Sequence, residues 1–260
     1  NEIFIDPRFT AFYHLSNQFS LKVSGSRAHQ FLNRFSNDVI TNGSKFVWLI
    51  PNKHMEPMSS IQKNFGFEYD TPDIFFGFDL YNKTVNNISD FSQLVFPIDV
   101  YSESSNNLIF QGTGESNGFE LFFHKKNGKL KGWASYNYGT IQCKFPDLNG
   151  GKIFLADHDR THELKSALIS SLGKWTLSIT GLISSGRVFT PNNNLMIREN
   201  ENANYTLQAE PGTRNSKRLP IVQRIDLSLN RSMYFMKKSL DIGISIFNVF
   251  DRNNISHRSY

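Results

Sequence analysis

Apolar and polar residues alternate along this chain with a period of two, and polar turns break the alternation at regular intervals. A period of two places side chains on opposite faces of an extended strand. Near the start, Ile3, Ile5, Phe9, Ala11 and Tyr13 share one parity, and Asp6, Arg8, Thr10 and His14 share the other. Phe19, Leu21 and Val23 alternate with Ser20, Lys22 and Ser24. The same pattern returns at Phe65–Phe67–Tyr69, Phe76–Phe78–Leu80, Phe119–Leu121–Phe123, Trp175–Leu177–Ile179–Ile183, Ile225–Leu227–Leu229 and Leu240–Ile242–Ile244–Ile246. With weaker runs near 129–144 and 160–172 the chain reads as ten strands and almost no helix.

The connections sharpen the picture. Ser16-Asn17-Gln18, Thr71-Pro72-Asp73, Asn127-Gly128, Gly173-Lys174 and Met236 to Ser239 are tight and polar, and Asn-Gly is a strong hairpin signal. Between them lie long connections near 33–59, 87–107, 145–158 and 190–221. Short and long alternate throughout, as in an up-and-down barrel with short periplasmic turns and long extracellular loops. The strands run about ten residues, the length a tilted strand needs to cross the hydrocarbon layer. A soluble β-sandwich also alternates, but it has no need of the short–long order, so the membrane barrel is the favoured reading. Tyr13, Tyr69, Trp175 and Tyr234 sit beside short turns, where an interfacial aromatic girdle belongs. Arg27 shares the parity of Leu21 and Val23, which puts it either at the outer rim or beyond a bulge.

Composition agrees with strands in a membrane. Aromatic residues make up 14% of the 260, with 24 Phe, yet the mean hydropathy is -0.39. No run approaches the roughly 18 apolar residues of a membrane helix. The net charge of +5 is spread without a basic block, which argues against nucleic acid. A single cysteine, Cys143, excludes an internal disulfide framework. The chain starts at Asn1 in mid-pattern and reads as a piece of something longer.

Catalytic chemistry is not expected. His158 and His162 are four apart, but the metalloprotease pattern needs a helix and a glutamate base beside the first histidine. Ser171 and Lys174 have a Ser-x-x-Lys spacing that falls on a hairpin turn. Phosphate-binding glycine loops and a nucleophile elbow are absent from the sequence. The expectation is a non-enzyme with no catalytic residue, metal site or cofactor.

Several segments carry a family resemblance. Gly118-Phe119-Glu120-Leu121 turning through Asn127-Gly128 into Leu130-Lys131-Gly132-Trp133-Ala134-Ser135-Tyr136 resembles a late hairpin of TonB-dependent receptor barrels. Asp159-Arg160-Thr161-His162-Glu163-Leu164 and Ser185-Gly186-Arg187-Val188-Phe189-Thr190-Pro191 are similar to the hairpin that follows it. Arg218-Leu219-Pro220, Arg224-Ile225-Asp226-Leu227-Ser228 and Ile246-Phe247-Asn248-Val249-Phe250-Asp251 are similar to the near-terminal strands. The pieces keep the family's order over nearly the whole chain. The resemblance implies an all-β, antiparallel up-and-down transmembrane β-barrel in the outer membrane, of which these ten strands are part; plugged barrels have about 22. Residues 1–260 are then the C-terminal portion of the barrel domain, without the family's plug domain, TonB box or closing strand. The implied activity is energised uptake of a scarce, bulky nutrient: a siderophore, cofactor, glycan or peptide. The implied partners are outer-membrane lipid, the chain's own plug and the TonB complex through an N-terminal part; aromatic residues in the long loops add a surface lipoprotein as a candidate partner.

Two groups of residues are candidates for function. Asp6, Arg8, Lys22, Glu68, Asp79, Glu120, Arg224 and Asp226 have the polar parity and are expected to face the lumen, towards plug, water or ligand. Phe46, Trp48, Phe96 and Tyr101 lie in long loops, where they either grip a ligand or partner or pack the loops together. A passive porin, adhesin or surface-binding barrel without TonB coupling stays open as the alternative.

Overall fold

The computed structural model describes residues 3–36, 46–51, 55–91, 109–199, 205–235 and 238–255. The strands in chain order are β1 (Arg8–His14), β2 (Phe19–Gln30), β3 (Asn33–Ser36), β4 (Phe46–Leu49), β5 (Met58–Asp70), β6 (Ile74–Phe91), β7 (Ile109–Lys125), β8 (Leu130–Lys144) and β9 (Phe154–Leu155). They continue with β10 (His162–Leu172), β11 (Trp175–Ser184), β12 (Val188–Phe189), β13 (Asn192–Glu199), β14 (Tyr205–Pro211), β15 (Lys217–Arg218), β16 (Val222–Phe235) and β17 (Lys238–Ile246). The main sheet runs β1-β2-β5-β6-β7-β8-β10-β11-β16-β17, each strand antiparallel to its neighbour, with β9 added beside β8. This is the antiparallel up-and-down order expected from the alternation. The small strands sit within the long connections, as β3–β4, β13–β14 and β12–β15 pairs.

Directly opposed residues of an antiparallel pair share a face, so the registers trace each face around the sheet. One row passes from Lys22 through Gly66, Asp79, Glu120, Asn137 and Glu163 to Ser184. The opposite face carries Leu21, Phe67, Phe78, Leu121, Tyr136, Leu164 and Ile183 in one row. Further along the sheet it carries Ile179, Leu227 and Ile246, then Leu177, Leu229 and Ile244. The apolar rows are widely exposed in the chain by itself: Phe65, Leu168, Leu229, Ile242 and Ile244 are all solvent-accessible. A sandwich would bury such rows against a second sheet. Here the buried hydrophobic residues lie instead at the long-connection end: Met55, Phe145, Phe154, Ala156, Val188 and Leu219.

Three details differ from the sequence reading. β6 and β7 extend to 18 and 17 residues, so the connection between them is shorter than the alternation suggested. Tyr234 pairs with Ser239 in the register of the polar face, not with the aromatic girdle; Met233 and Leu240 hold the apolar positions there. Arg27 pairs with Ile61 in an unshifted register, so no bulge intervenes and it stays on the apolar parity at the long-connection end of β2.

The register generates a test on β17. Ile244 opposes Leu229 on the apolar face, and Ser245 opposes Ser228 on the polar one, with their hydroxyls 3.0 Å apart. Ile244 lies one row in from the Trp175–Arg231–Ile242 rung, so Ile244→Arg is expected to destabilise the barrel by about 1–2 kcal/mol, and Ser245→Arg by much less. Urea titration of folded and unfolded forms in lipid measures both, and equal costs at the two positions would contradict the assignment of faces.

Candidate functional site

Arg8, Lys22, Glu68, Asp79, Glu120, Arg224 and Asp226 share one face by register, whereas Asp6 precedes β1 and bonds to His29, which has the apolar parity; the structure joins several of these residues to each other. Lys22 Nζ lies 3.3 Å from Asp79 Oδ1 and 3.8 Å from Glu68 Oε1. Lys22 and Asp79 stand on strands separated by β5, and they reach each other because Gly66 lies between them in the same row. A Cβ at Gly66 would sit 2.5 Å from Asp79 Oδ1. The absent side chain is thus what permits the cross-strand pair. Glu120 accepts a hydrogen bond from Ser135 Oγ at 3.0 Å. Arg224 Nε donates to Asp226 at 2.9 Å, and Asp226 also accepts the backbone N–H of Asn248 at 2.8 Å, which pins the chain just beyond β17 to β16. Asp6 accepts the backbone N–H of His29 at 3.2 Å and lies 2.6 Å from its Nδ1. That hydrogen bond to His29 holds the Asp6 carboxyl below its ordinary value. The tie is complete above the ordinary carboxylate range and is lost as pH falls through the lowered value. Arg8 opposes Ser26 and is exposed.

The loop candidates separate. Trp48 opposes Arg34 in the β3–β4 hairpin and is exposed, and Phe46 opposes Ser36 at the same hairpin's end. Phe96 and Tyr101 lie outside the described residues.

Three features of the site were not read from the sequence. Phe75, Phe122 and Trp133 share the polar face near the short turns, with ring centroids 5.9 Å apart for Phe75–Phe122 and 6.1 Å for Phe122–Trp133. Towards the long connections, the row Ala28–Ser60–Val85–Gly114–Cys143 forms the wall of a cleft of about 530 Å³ on the same face. Met58, Ile88, Ile141 and Ala156 add apolar surface there, and Lys83, Glu115 and His158 add charged or polar groups.

The third feature is a folded cap built from the connections that follow β8 and β11. Asp159 is 0% exposed and accepts three hydrogen bonds: from Ile141 N–H at 2.9 Å, Thr161 Oγ1 at 3.0 Å and Arg218 Nη2 at 2.7 Å. Arg218 also donates to Thr161 Oγ1 at 2.9 Å and to the Gly186 carbonyl at 2.9 Å. Asn215 donates to Asp157 Oδ1 at 2.6 Å and to the Leu155 carbonyl at 2.7 Å. Gly186 lets the two ends of the β11–β16 connection close on each other, because a Cβ there would meet the Leu219 carbonyl oxygen at 2.0 Å. Phe145, 1% exposed, stacks on Phe154 beneath this network, and Arg214 lies over the Phe154 ring while pairing with Asp90 at 2.6 Å. His158 and His162 are not brought into a metal site; His162 Nδ1 instead lies 2.8 Å from the Tyr136 hydroxyl. No group of His, Cys, Asp and Glu suited to a metal occurs among the described residues.

Long antiparallel strands with one apolar and one polar face, short turns at one end and built-up connections at the other define a transmembrane β-barrel of the outer membrane. The chain belongs to the TonB-dependent receptor family: the family model described as TonB dependent receptor-like, beta-barrel, matches residues 4–249. That family consists of transporters and receptors of the Gram-negative outer membrane. Among solved structures, the ferripyoverdine receptor of Pseudomonas aeruginosa superposes with a TM-score of 0.63 at 13% identity, covering 95% of this chain and 29% of the receptor. The FrpB iron transporter of Neisseria meningitidis gives 0.59 at 12% identity, covering 95% and 35%. BauA, the ferric preacinetobactin receptor of Acinetobacter baumannii, gives 0.58 at 13%, covering 95% and 32%. This chain therefore spans about a third of the length of those receptors. No curated protein matches it in sequence.

The cap yields a mutational test. Arg218→Ala would leave the Asp159 carboxylate buried and without its charge partner, a loss of about 3 kcal/mol. Asp159→Asn with Arg218 intact is expected to cost less, since the amide keeps an oxygen for the Ile141 N–H. Limited proteolysis of the 145–158 and 185–221 connections should show faster cleavage in Arg218→Ala than in Asp159→Asn, with the membrane strands unchanged. Equal protease resistance in Arg218→Ala and the parent would show that the pair does not hold the cap.

Proposed function

We propose that this chain is part of the wall of an energised outer-membrane receptor that takes up a scarce, bulky nutrient. The observation that carries the reading is the family match over residues 4–249, on a sheet whose two faces suit lipid and an aqueous lumen. In this reading the polar face looks into the lumen and the long connections lie at the cell surface. The Lys22–Asp79–Glu68 group and the Phe75–Phe122–Trp133 cluster meet the receptor's plug, one by charge and the other by aromatic contact. The cleft beside Val85 and Cys143 takes part of the ligand. Its apolar wall, with Lys83, Glu115 and His158 also in the lining, supports a ligand that has an apolar body and charged or polar groups of both signs. Such a ligand fits the siderophore and peptide classes better than a neutral glycan. Trp48, exposed on β4, offers surface for the ligand or for a lipoprotein lid.

Energy coupling separates this reading from a passive porin or adhesin. Cells carrying the full-length receptor, restricted for iron or for peptide nutrients, should gain uptake that requires TonB and a proton gradient. Uptake is expected to disappear in a TonB-deficient strain while binding at the cell surface remains. Uptake that persists without TonB would favour the passive barrel.

A further inference from the structure

We propose that Arg231 holds the phosphate of a membrane phospholipid against the outside of the barrel, at the level of the short turns. Arg231 occupies an apolar-face position of β16, opposite Trp175 on one side and Ile242 on the other. Leu177, Leu229 and Ile244 make up the next row of that face, and Met233 and Leu240 follow on the turn side. An arginine on a lipid-facing row is costly at mid-membrane and is tolerated near the interface, where water or a headgroup receives its charge.

The described residues supply no such receiver. Among the described residues the Arg231 side chain makes no ion pair and no hydrogen bond, and its Nε is buried without a partner. Asp241, the acid nearest along β17, opposes Ser232 on the polar face and accepts its hydroxyl at 2.6 Å. Asp226 is on that face as well, bonded to Arg224. What Arg231 does have is the ring of Trp175, 5.2 Å from its guanidinium carbon. Trp175 pairs with Leu172 in the rung that closes the Gly173-Lys174 turn, so the cation stands at the edge of the apolar belt and not in its middle. Interfacial tryptophans mark that same headgroup level.

A guanidinium lying over an indole keeps its edge donors in one plane, a fork that matches two oxygens of a phosphate. The exposed Leu229, Ile242 and Ile244 continue from that point as an apolar surface along which an acyl chain can lie. Charge, fork geometry and the adjoining apolar track together fit a phospholipid, whose phosphate and chains are joined in one molecule. A free phosphate would use only the first two.

The test uses the full-length receptor extracted from outer membranes in mild detergent and examined by native mass spectrometry. The parent protein is expected to keep a phospholipid adduct through detergent exchange, and Arg231→Gln to lose most of it. Arg231→Lys should hold it more weakly, because an ammonium lacks the planar fork. Trp175→Leu, which leaves the charge and removes the ring, should also weaken it. Heat-modifiable migration on gels identifies the folded variants, and the lysine and leucine variants carry the test where the glutamine variant does not fold. Phosphatidylglycerol added in mixed micelles should restore the adduct to stripped parent protein but not to Arg231→Gln. Inorganic phosphate in excess should not displace it; displacement would mean that the site takes any phosphate and would overturn the lipid assignment. Equal lipid retention in the parent and the folded variants would overturn the proposal, leaving Arg231 solvated at the interface.

Discussion

A backbone N–H or C=O left unpaired in hydrocarbon costs several kcal/mol, and every other feature of this chain is subordinate to that demand. The antiparallel registers meet it strand by strand, with twelve residues of β2 paired in sequence to β5 without a shift. Because side chains alternate, the same registers decide which residues meet lipid. A slip of one residue anywhere in the main sheet would turn its apolar rows inward. The register shift in that sheet among the described residues lies between Asn86 and Ile88, beyond the apolar run of β6 and near the built-up connections. A bulge there bends the rim and leaves the faces of the lipid-crossing part intact.

The two ends of the sheet solve different problems. At the short-turn end neighbouring hairpins are tied together: the Lys126 amide donates to the Asp73 carbonyl at 2.8 Å, Asn127 Nδ2 donates to the Pro72 carbonyl at 2.7 Å, and Lys126 pairs with Asp70. At the other end the connections are too long to be held by turn geometry alone. Those that follow β8 and β11 are held by a small hydrophobic core and by the pair of buried Asp159 with Arg218. Between the ends, the polar face carries the Lys22–Asp79–Glu68, Glu163–Lys165 and Arg224–Asp226 groups. A wall so arranged can present a fixed electrostatic surface to whatever fills the lumen.

The lipid-crossing part of this architecture was legible in the sequence because alternation is a local signal. Ten strands, their order and the short turns follow from runs such as Phe76–Phe78–Leu80 and from Asn127-Gly128. The parts that escaped depend on partners distant in sequence. Asp159 and Arg218 are 59 residues apart, and nothing local marks them as a pair. Asn192–Glu199 forms a hairpin with Tyr205–Pro211, yet its asparagine-rich sequence has no clean alternation to announce a strand. Tyr234 was misplaced because proximity to a turn says nothing about parity, whereas the pairing with Ser239 decides it. The candidate polar residues were chosen by parity alone. That collects those within strands on one face but not Asp6, which bonds to His29, and it gives no sign that Gly66 is what lets Lys22 reach Asp79.

The division of faces is the central claim, and spin labels along β5 test it most directly. Single labels placed from Asn64 to Asp70 in the full-length receptor, reconstituted in lipid, report collisions with oxygen, which concentrates in hydrocarbon, and with a nickel chelate confined to water. The account predicts a period of two, with oxygen collisions highest at Phe65, Phe67 and Tyr69 and lower at Gly66 and Glu68, where chelate access or protein contact takes over. Accessibility that varies smoothly along the strand, or oxygen maxima at Gly66 and Glu68, would contradict it.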